Sequence, residues 1–192
     1  MIGGILLAAG KSRRFGADKR FACLDTGETL LLRSARVLSQ VVEARVLVVG
    51  QDDDPVRFRQ ALPGWQVVRA ELSALGMGAS LAAAVRTVAA QWSGCLVALA
   101  DKPFVLPATV RAVRNVLDEE IVVPRSGGEW GHPVGFPRRL FAAMCELKAD
   151  GEARQLIVAE SARCRFIDVD DPGVLFDIDT PDALRGPGLH PA

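Results

Sequence analysis

The sequence has no net charge, no closely spaced cysteine pair and no long apolar run. Lys+Arg and Asp+Glu both number 23 among its 192 residues. Non-specific binding to a nucleic-acid backbone needs a basic excess, so this balance argues against nucleic acid as the main partner. Any charge that serves function must be local. The four cysteines stand at 23, 95, 145 and 164. Without a Cys-x-x-Cys pair, the common thiolate metal and redox motifs are excluded, and buried reduced thiols remain. The two histidines, His132 and His190, do not make a histidine metal site by themselves. The longest apolar runs, such as residues 5–9 and 95–100, fall well short of the ~18 residues of a membrane span. Apolar residues precede the first positive charges, the reverse of a secretory signal. These features lead to the expectation of a cytoplasmic protein with no membrane partner.

Strand and helix patterns alternate along the chain. Short apolar runs at 2–8, 45–49, 65–68, 95–100 and 121–124 predict strands. Helical patterns fall at about 28–41, 55–62, 79–92 and 107–117. Near-continuous apolar strands separated by helices predict a Rossmann-like three-layer α/β/α fold with a mostly parallel central sheet. The glycines and proline of 125–136 predict a hairpin or loop excursion. Helices near 137–146 and 150–160 and a strand near 165–169 follow. One domain is expected over 1–185, with a disordered tail at 186–192. In such sheets, ligands bind beyond the carboxyl ends of the strands. The loops after Leu7, Val49, Val68 and Ala100 are therefore the ones to inspect.

Residues 7–19 read LAAGKSRRFGADK. The small residues of Leu7-Ala8-Ala9-Gly10 let the backbone approach a ligand, and amides in such a turn can cradle phosphate. Lys11, Arg13, Arg14 and Lys19 put four cations within nine residues, one of which could neutralise charge building up on a leaving pyrophosphate. Gly10-Lys11-Ser12 resembles the end of a P-loop, but the first P-loop glycine is replaced by Ile5. The dinucleotide fingerprint fails because Ser12 stands where its second glycine belongs. A dehydrogenase is thereby disfavoured. A plain surface turn with solvated charges is the competing reading.

Three further segments carry chemistry. Residues 76–81 (GMGASL) open a helix, with Gly78 able to enter the turn and Ser80 in the first helical turn. A helix N-terminus favours an anion or a polar ligand group, although simple capping by small residues also fits. Asp101 follows a buried strand in LADKPFV, at the ligand edge. Mg²⁺ takes one or two carboxylates and fills its sphere with water and phosphate, so Asp101 is a candidate ligand, or else a helix cap. In DIDTPD, Thr180-Pro181 can start a helix, and Asp177 or Asp179 serves either as a cap or as a second acid. Lys102 is either a phosphate contact or an exposed charge. No convincing histidine–carboxylate base pair is present, which suits a phosphate acceptor better than a hydroxyl.

The string at 7–19 resembles the LAAGxSxRxGxxK signature of the MobA-like NTP transferases of molybdenum cofactor biosynthesis. These share a Rossmann-like fold with the sugar-nucleotide (nucleotide-diphospho-sugar) and isoprenoid-precursor transferases. The resemblance implies a Mg²⁺-dependent nucleotidyltransferase. Leu7, Ala8, Ala9, Gly10, Ser12 and Arg13 would hold the triphosphate, with Arg14 at the transferring phosphate and Lys19 at the reaction centre. It implies that Gly78 and Ser80 contact base and ribose, and that Asp179 joins Asp101 on the metal. GMGASL, GHPVGF at 131–136 and DGEAR at 150–154 look like the cytidylyltransferase branch. That likeness favours CTP over GTP and implicates His132 and Arg154 in holding a molybdopterin-type acceptor. Ala149 and Glu152 depart from the glycines of that branch, and Lys102 from its common Gln. The implied partners are a nucleoside triphosphate, the phosphorylated pterin, and a molybdoenzyme or its maturation chaperone. Guanylyl transfer to the same acceptor, cytidylyl or uridylyl transfer to another phosphorylated metabolite, and a non-catalytic nucleotide- or cofactor-binding chaperone are the alternatives.

Overall fold

The computed structural model describes residues 1–12 and 14–186. Arg13 and residues 187–192, which hold His190 and most of the expected tail, lie outside the described residues. Among those described, eight strands join in one sheet. They are β1 (Ile2–Leu7), β2 (Arg45–Gly50), β3 (Gln66–Ala70), β4 (Gly94–Leu99), β5 (Ile121–Ser126), β6 (Glu129–Trp130), β7 (Val134–Pro137) and β8 (Cys164–Asp168). The helices are α1 (Leu30–Ser39), α2 (Pro55–Ala61), α3 (Met77–Val88), α4 (Pro107–Val116), α5 (Phe141–Cys145) and α6 (Glu152–Ala159). No helix of the described residues is long and apolar enough to cross a membrane.

The sheet runs β3-β2-β1-β4-β7-β5, with β6 and β8 also paired to β5. Neighbours among β1 to β4 are parallel. β7 is antiparallel to both β4 and β5, so β5 and its parallel partner β8 run in the common direction. The period-two alternation of strand side chains builds the layers. Ile5, Leu7, Val46 and Val48 face α3, α5 and α6. Leu6, Leu47 and Val49 face α1, α2 and α4. The apolar strands are thus covered on both sides, as their composition predicts. The sequence predicts the reversed strand β7 only as part of a hairpin or loop excursion. Its four residues, Val-Gly-Phe-Pro, carry too short a pattern to declare a strand, and its pairing depends on distant β4.

The chain after β8 acts as a strap across the ligand edge. Leu106, which precedes α4, offers that helix no side-chain cap. Buried Asp171 does so instead. Its Oδ2 accepts the Leu106 N–H (2.9 Å) and the Thr109 hydroxyl (2.6 Å). Its Oδ1 accepts the Gly173 N–H at 3.1 Å. Farther along, the Val174 carbonyl accepts the His132 N–H (3.1 Å), and the Ile178 N–H donates to the Asp101 carbonyl (2.9 Å). The strap carries Asp179 to Asp101.

Asp171→Ala strands several buried donors. It should lower urea-measured unfolding free energy by about 2–3 kcal/mol. A negligible change would mean that water replaces the carboxylate.

Candidate active site

A cavity of about 580 Å³ opens at the carboxyl ends of the parallel strands, within the range of small-ligand sites. The first loop lines it with Ala9, Gly10, Ser12, Arg14 and Lys19. Leu7, Ser80, Asp101, Asp150 and Asp179 reach it from five other places in the chain.

The first loop is shaped by its own short-range bonds. Ser12 adopts φ +48°. Its carbonyl accepts the Phe15 N–H (3.0 Å) and its hydroxyl accepts the Lys19 N–H (3.3 Å). Asp18 opens a 3-10 turn over Lys19–Phe21. That turn aims Lys19 at two acids. Its Nζ lies 2.9 Å from Asp101 Oδ2 and 3.2 Å from Asp179 Oδ1, and donates to the Ile178 carbonyl at 2.8 Å. The Lys19 side chain is 12% exposed, against 29% for Asp101 and 37% for Asp179. Arg14 pairs with Asp179 at 2.9 Å but is 76% exposed. Such an exposed pair contributes about 0–1 kcal/mol, so it leaves the guanidinium able to turn toward a ligand.

The site's donor chemistry fits a divalent ion. Among the described residues no group of three or more His, Cys, Asp or Glu side chains converges. Two carboxylates, Asp101 and Asp179, face the Lys19 ammonium, and both border the main cavity. A hard ion that takes one or two carboxylates and completes its sphere from water and phosphate suits this pair.

Several expected site residues sit differently. Gly76, not Gly78, makes the turn into α3, at φ +139°. A Cβ on Gly76 would lie 2.5 Å from the Asp150 nitrogen. Gly78 lies inside α3, where a Cβ would meet the Ala149 carbonyl oxygen at 2.4 Å. The reason is the 148–152 loop, which packs against the start of α3. Asp150 there accepts the Met77 N–H from the far side of the sequence. Glu152, one of the two departures from the family glycines, accepts the Lys148 and Ala149 N–H groups and closes that loop. Ser80 is in the first turn of α3, as expected, but is almost wholly buried at the cavity wall. Ala8 points into the core below the sheet instead of the main cavity. Lys102 is neither exposed nor a lining residue of the main cavity. It is 6% exposed and pairs with Asp177 at 2.7 Å.

His132 and Arg154 meet in a second cavity of about 250 Å³, which shares Leu7 and Met77 with the first. Trp130, Val134 and Phe136 make it largely apolar, and the Arg154 guanidinium lies 5.1 Å from the Trp130 ring centre. The sequence includes Asp150 in the 150–154 segment but assigns it no role, and it gives no role to Arg20 or its partner Asp53. Arg20 directly follows Lys19, so the cationic stretch could have been read one residue farther.

Burial, then the nearby Lys102 charge, pushes the His132 pKa down to about 4 against the opposing influence of Asp101. The unfolded chain takes this proton near 6.5 and the fold refuses it until about 4. Stability from this group is therefore complete above the unfolded value and falls as pH drops through that window. His132→Gln should flatten the decline of urea-measured stability between about pH 6 and 4.5 by up to about 1.4 kcal/mol per pH unit. An unchanged slope would mean that the folded imidazole is protonated.

The model of the MobA-like NTP transferase domain matches residues 4–164. "Purine catabolism protein PucB" of Bacillus subtilis (strain 168) is 28% identical, covering 93% of this chain and 92% of that protein. "Probable molybdenum cofactor guanylyltransferase" of Mycobacterium marinum is 30% identical, with 97% and 92% covered. The crystal structure of Rv0371c from Mycobacterium tuberculosis H37Rv superposes with a TM-score of 0.83 at 32% identity, covering 96% of this chain and 95% of that one. The structure of the same protein in complex with manganese gives 0.78 at 30% identity, covering 96% of each chain. With the signature loop at the sheet's ligand edge, these likenesses lead to one conclusion: the chain belongs to the MobA-like NTP transferase family and is a nucleotidyltransferase.

Proposed function

We propose that the chain transfers a nucleoside monophosphate from a nucleoside triphosphate to the phosphate of a molybdopterin-type acceptor. One observation carries this reading. A glycine turn, a poorly exposed lysine and two aspartates meet in one polar cavity. The first-loop amides and Lys11 hold the triphosphate, and Ser80 and the Gly76 turn border its nucleoside. The second cavity receives the pterin, with Trp130 in its apolar wall and Arg154 for the acceptor phosphate. His132 forms part of its wall.

An acceptor phosphate oxygen attacks the α-phosphorus in line. The new P–O bond forms as the bond to the β-phosphate oxygen breaks, and pyrophosphate leaves with the electron pair. The acceptor is already anionic, so no protein base is required, and neutral His132 is not asked to act as one. Lys19 and Arg14 neutralise the charge that gathers on the α-phosphate and the leaving group. Mg²⁺ or Mn²⁺ held by Asp101 and Asp179 would supply Lewis-acid polarisation of the donor's phosphate oxygens.

CTP is the favoured donor, on the likeness of residues 76–81 and 131–136 to the cytidylyltransferase branch. GTP is the second reading, supported by the likeness to the probable molybdenum cofactor guanylyltransferase of Mycobacterium marinum. The dinucleotide product would pass to a molybdoenzyme or its maturation chaperone.

A pyrophosphate-release panel with each triphosphate, Mg²⁺ or Mn²⁺, and phosphopterin-bound molybdenum tests the reaction. Release with CTP alone is expected; release with GTP alone would reverse the donor assignment. Release with neither would refute the proposed reaction. Asp101→Asn should reduce turnover by at least about 100-fold and weaken Mn²⁺ binding seen by electron paramagnetic resonance, with the fold retained. Full turnover in that variant would refute the metal role. Arg14→Ala should reduce kcat by about 10- to 100-fold while triphosphate affinity changes little. An unaltered kcat would remove Arg14 from the chemistry.

A further inference from the structure

Arg20 spends its full set of donors on one cluster. Its Nε donates to Asp18 Oδ1 at 2.7 Å. Nη1 donates to the Ala8 carbonyl (2.7 Å) and to Asp53 Oδ2 (2.6 Å). Nη2 donates to Asp53 Oδ1 (2.7 Å) and to Asp18 Oδ2 (2.9 Å). These five bonds use the five N–H groups that a guanidinium possesses. The plane also lies 4.7 Å from the centre of the Phe58 ring. Asp53 Oδ2 in turn accepts the Gly50 N–H at 2.7 Å, which anchors the cluster to the end of β2.

The arrangement has a direction. Ala8 and Asp18 are the two ends of the 9–17 segment, and one guanidinium grips both. Lys19 and Arg20 are neighbours on one 3-10 turn yet serve opposite sides: Lys19 reaches the Asp101–Asp179 pair, while Arg20 is buried toward β2. Arg20 faces two carboxylates and a carbonyl, so its charge is already balanced and it has no donor left for a phosphate. Burial opposes the Arg20 charge, but hydrogen bonds and charge from Asp53 and Asp18 outweigh it and raise its pKa. Burial likewise works against ionised Asp18, and Arg20 outweighs it, so that carboxyl is held below its ordinary range.

We infer that Arg20, through Asp18, Asp53 and the Ala8 carbonyl, is a positioning residue. It clamps both ends of the first loop so that the loop's amides and the Lys19 ammonium are preset for the donor triphosphate. The inference rests on the assignment of that loop to the triphosphate. Lysine cannot replace the fork, because an ammonium has three donors, whereas Arg20 uses five to bind both oxygens of each carboxylate and the carbonyl.

Inorganic tripolyphosphate is the probe, because it carries the donor's charge without base or ribose. Calorimetric titration of the wild-type chain should show binding. No uptake at all would overturn the loop assignment and the clamp with it. In Arg20→Lys, tripolyphosphate Kd and donor KM should rise by about tenfold or more, with acceptor KM unchanged in the folded variant. Asp53→Asn should behave the same way. The double variant should be no worse than the poorer single one, since both remove one clamp. A folded Arg20→Lys that binds tripolyphosphate as the wild type does would overturn the clamp alone. So would losses that multiply in the double variant. Should Arg20→Lys not fold, Asp53→Asn decides by the same two constants.

Discussion

The contact on which the proposed catalytic arrangement depends is that of the Lys19 ammonium with Asp101 and Asp179. Two carboxylates facing each other across a polar cavity repel, and neither is wholly solvated. A cation between them is the simplest way to hold both in place. Here the first loop provides that cation. In the proposed reaction, a divalent ion and the donor's phosphates enter the same field. The site is thus built around charge balance, which suits a transfer whose main demand is to accommodate charge moving onto pyrophosphate.

The fold explains how residues so far apart reach one point. Parallel strands bring the carboxyl ends of β1 and β4 side by side, so the first loop and Asp101 become neighbours. Asp179 does not arrive on a strand end. It is delivered by the strap after β8, whose course is set by Asp171 at α4, by the Val174 carbonyl at His132 and by Ile178 at Asp101. The buried carboxylate of Asp171 thereby helps place the proposed metal-binding carboxylate of Asp179 at the rim. The 148–152 loop has a similar part at the other side of the cavity, where Asp150 caps α3 and closes in on Gly76.

The two cavities differ in character as the two proposed substrates do. The larger is bordered by charged side chains and backbone turns, the smaller by Trp130, Phe136 and aliphatic residues with one guanidinium. Leu7 and Met77 border both. A donor in one and an acceptor in the other would meet near the end of β1, above the lysine and the aspartates. His132, half-buried and with its pKa pushed down to about 4, would contribute shape there instead of charge.

The sequence by itself determined the layers, the ligand edge and the identity of the loop that matters. Those features are local: a run of apolar residues declares a buried strand, and a glycine-and-cation string declares a turn around phosphate wherever it is placed. It also supplied the pairing of Asp101 with Asp179, through the resemblance carried by 7–19. Only the tertiary structure decided which glycine turns the chain into α3, because that depends on the approach of Ala149 and Asp150. It alone revealed that Lys102 is buried against Asp177, that Ala8 faces the core, and that β7 runs backwards between β4 and β5. The five-fold grip of Arg20 was equally hidden, since its partners lie on three separate segments. Long-range hydrogen bonds and steric contacts of this kind leave no periodicity in the chain. They exist only once the sheet has brought its loops together.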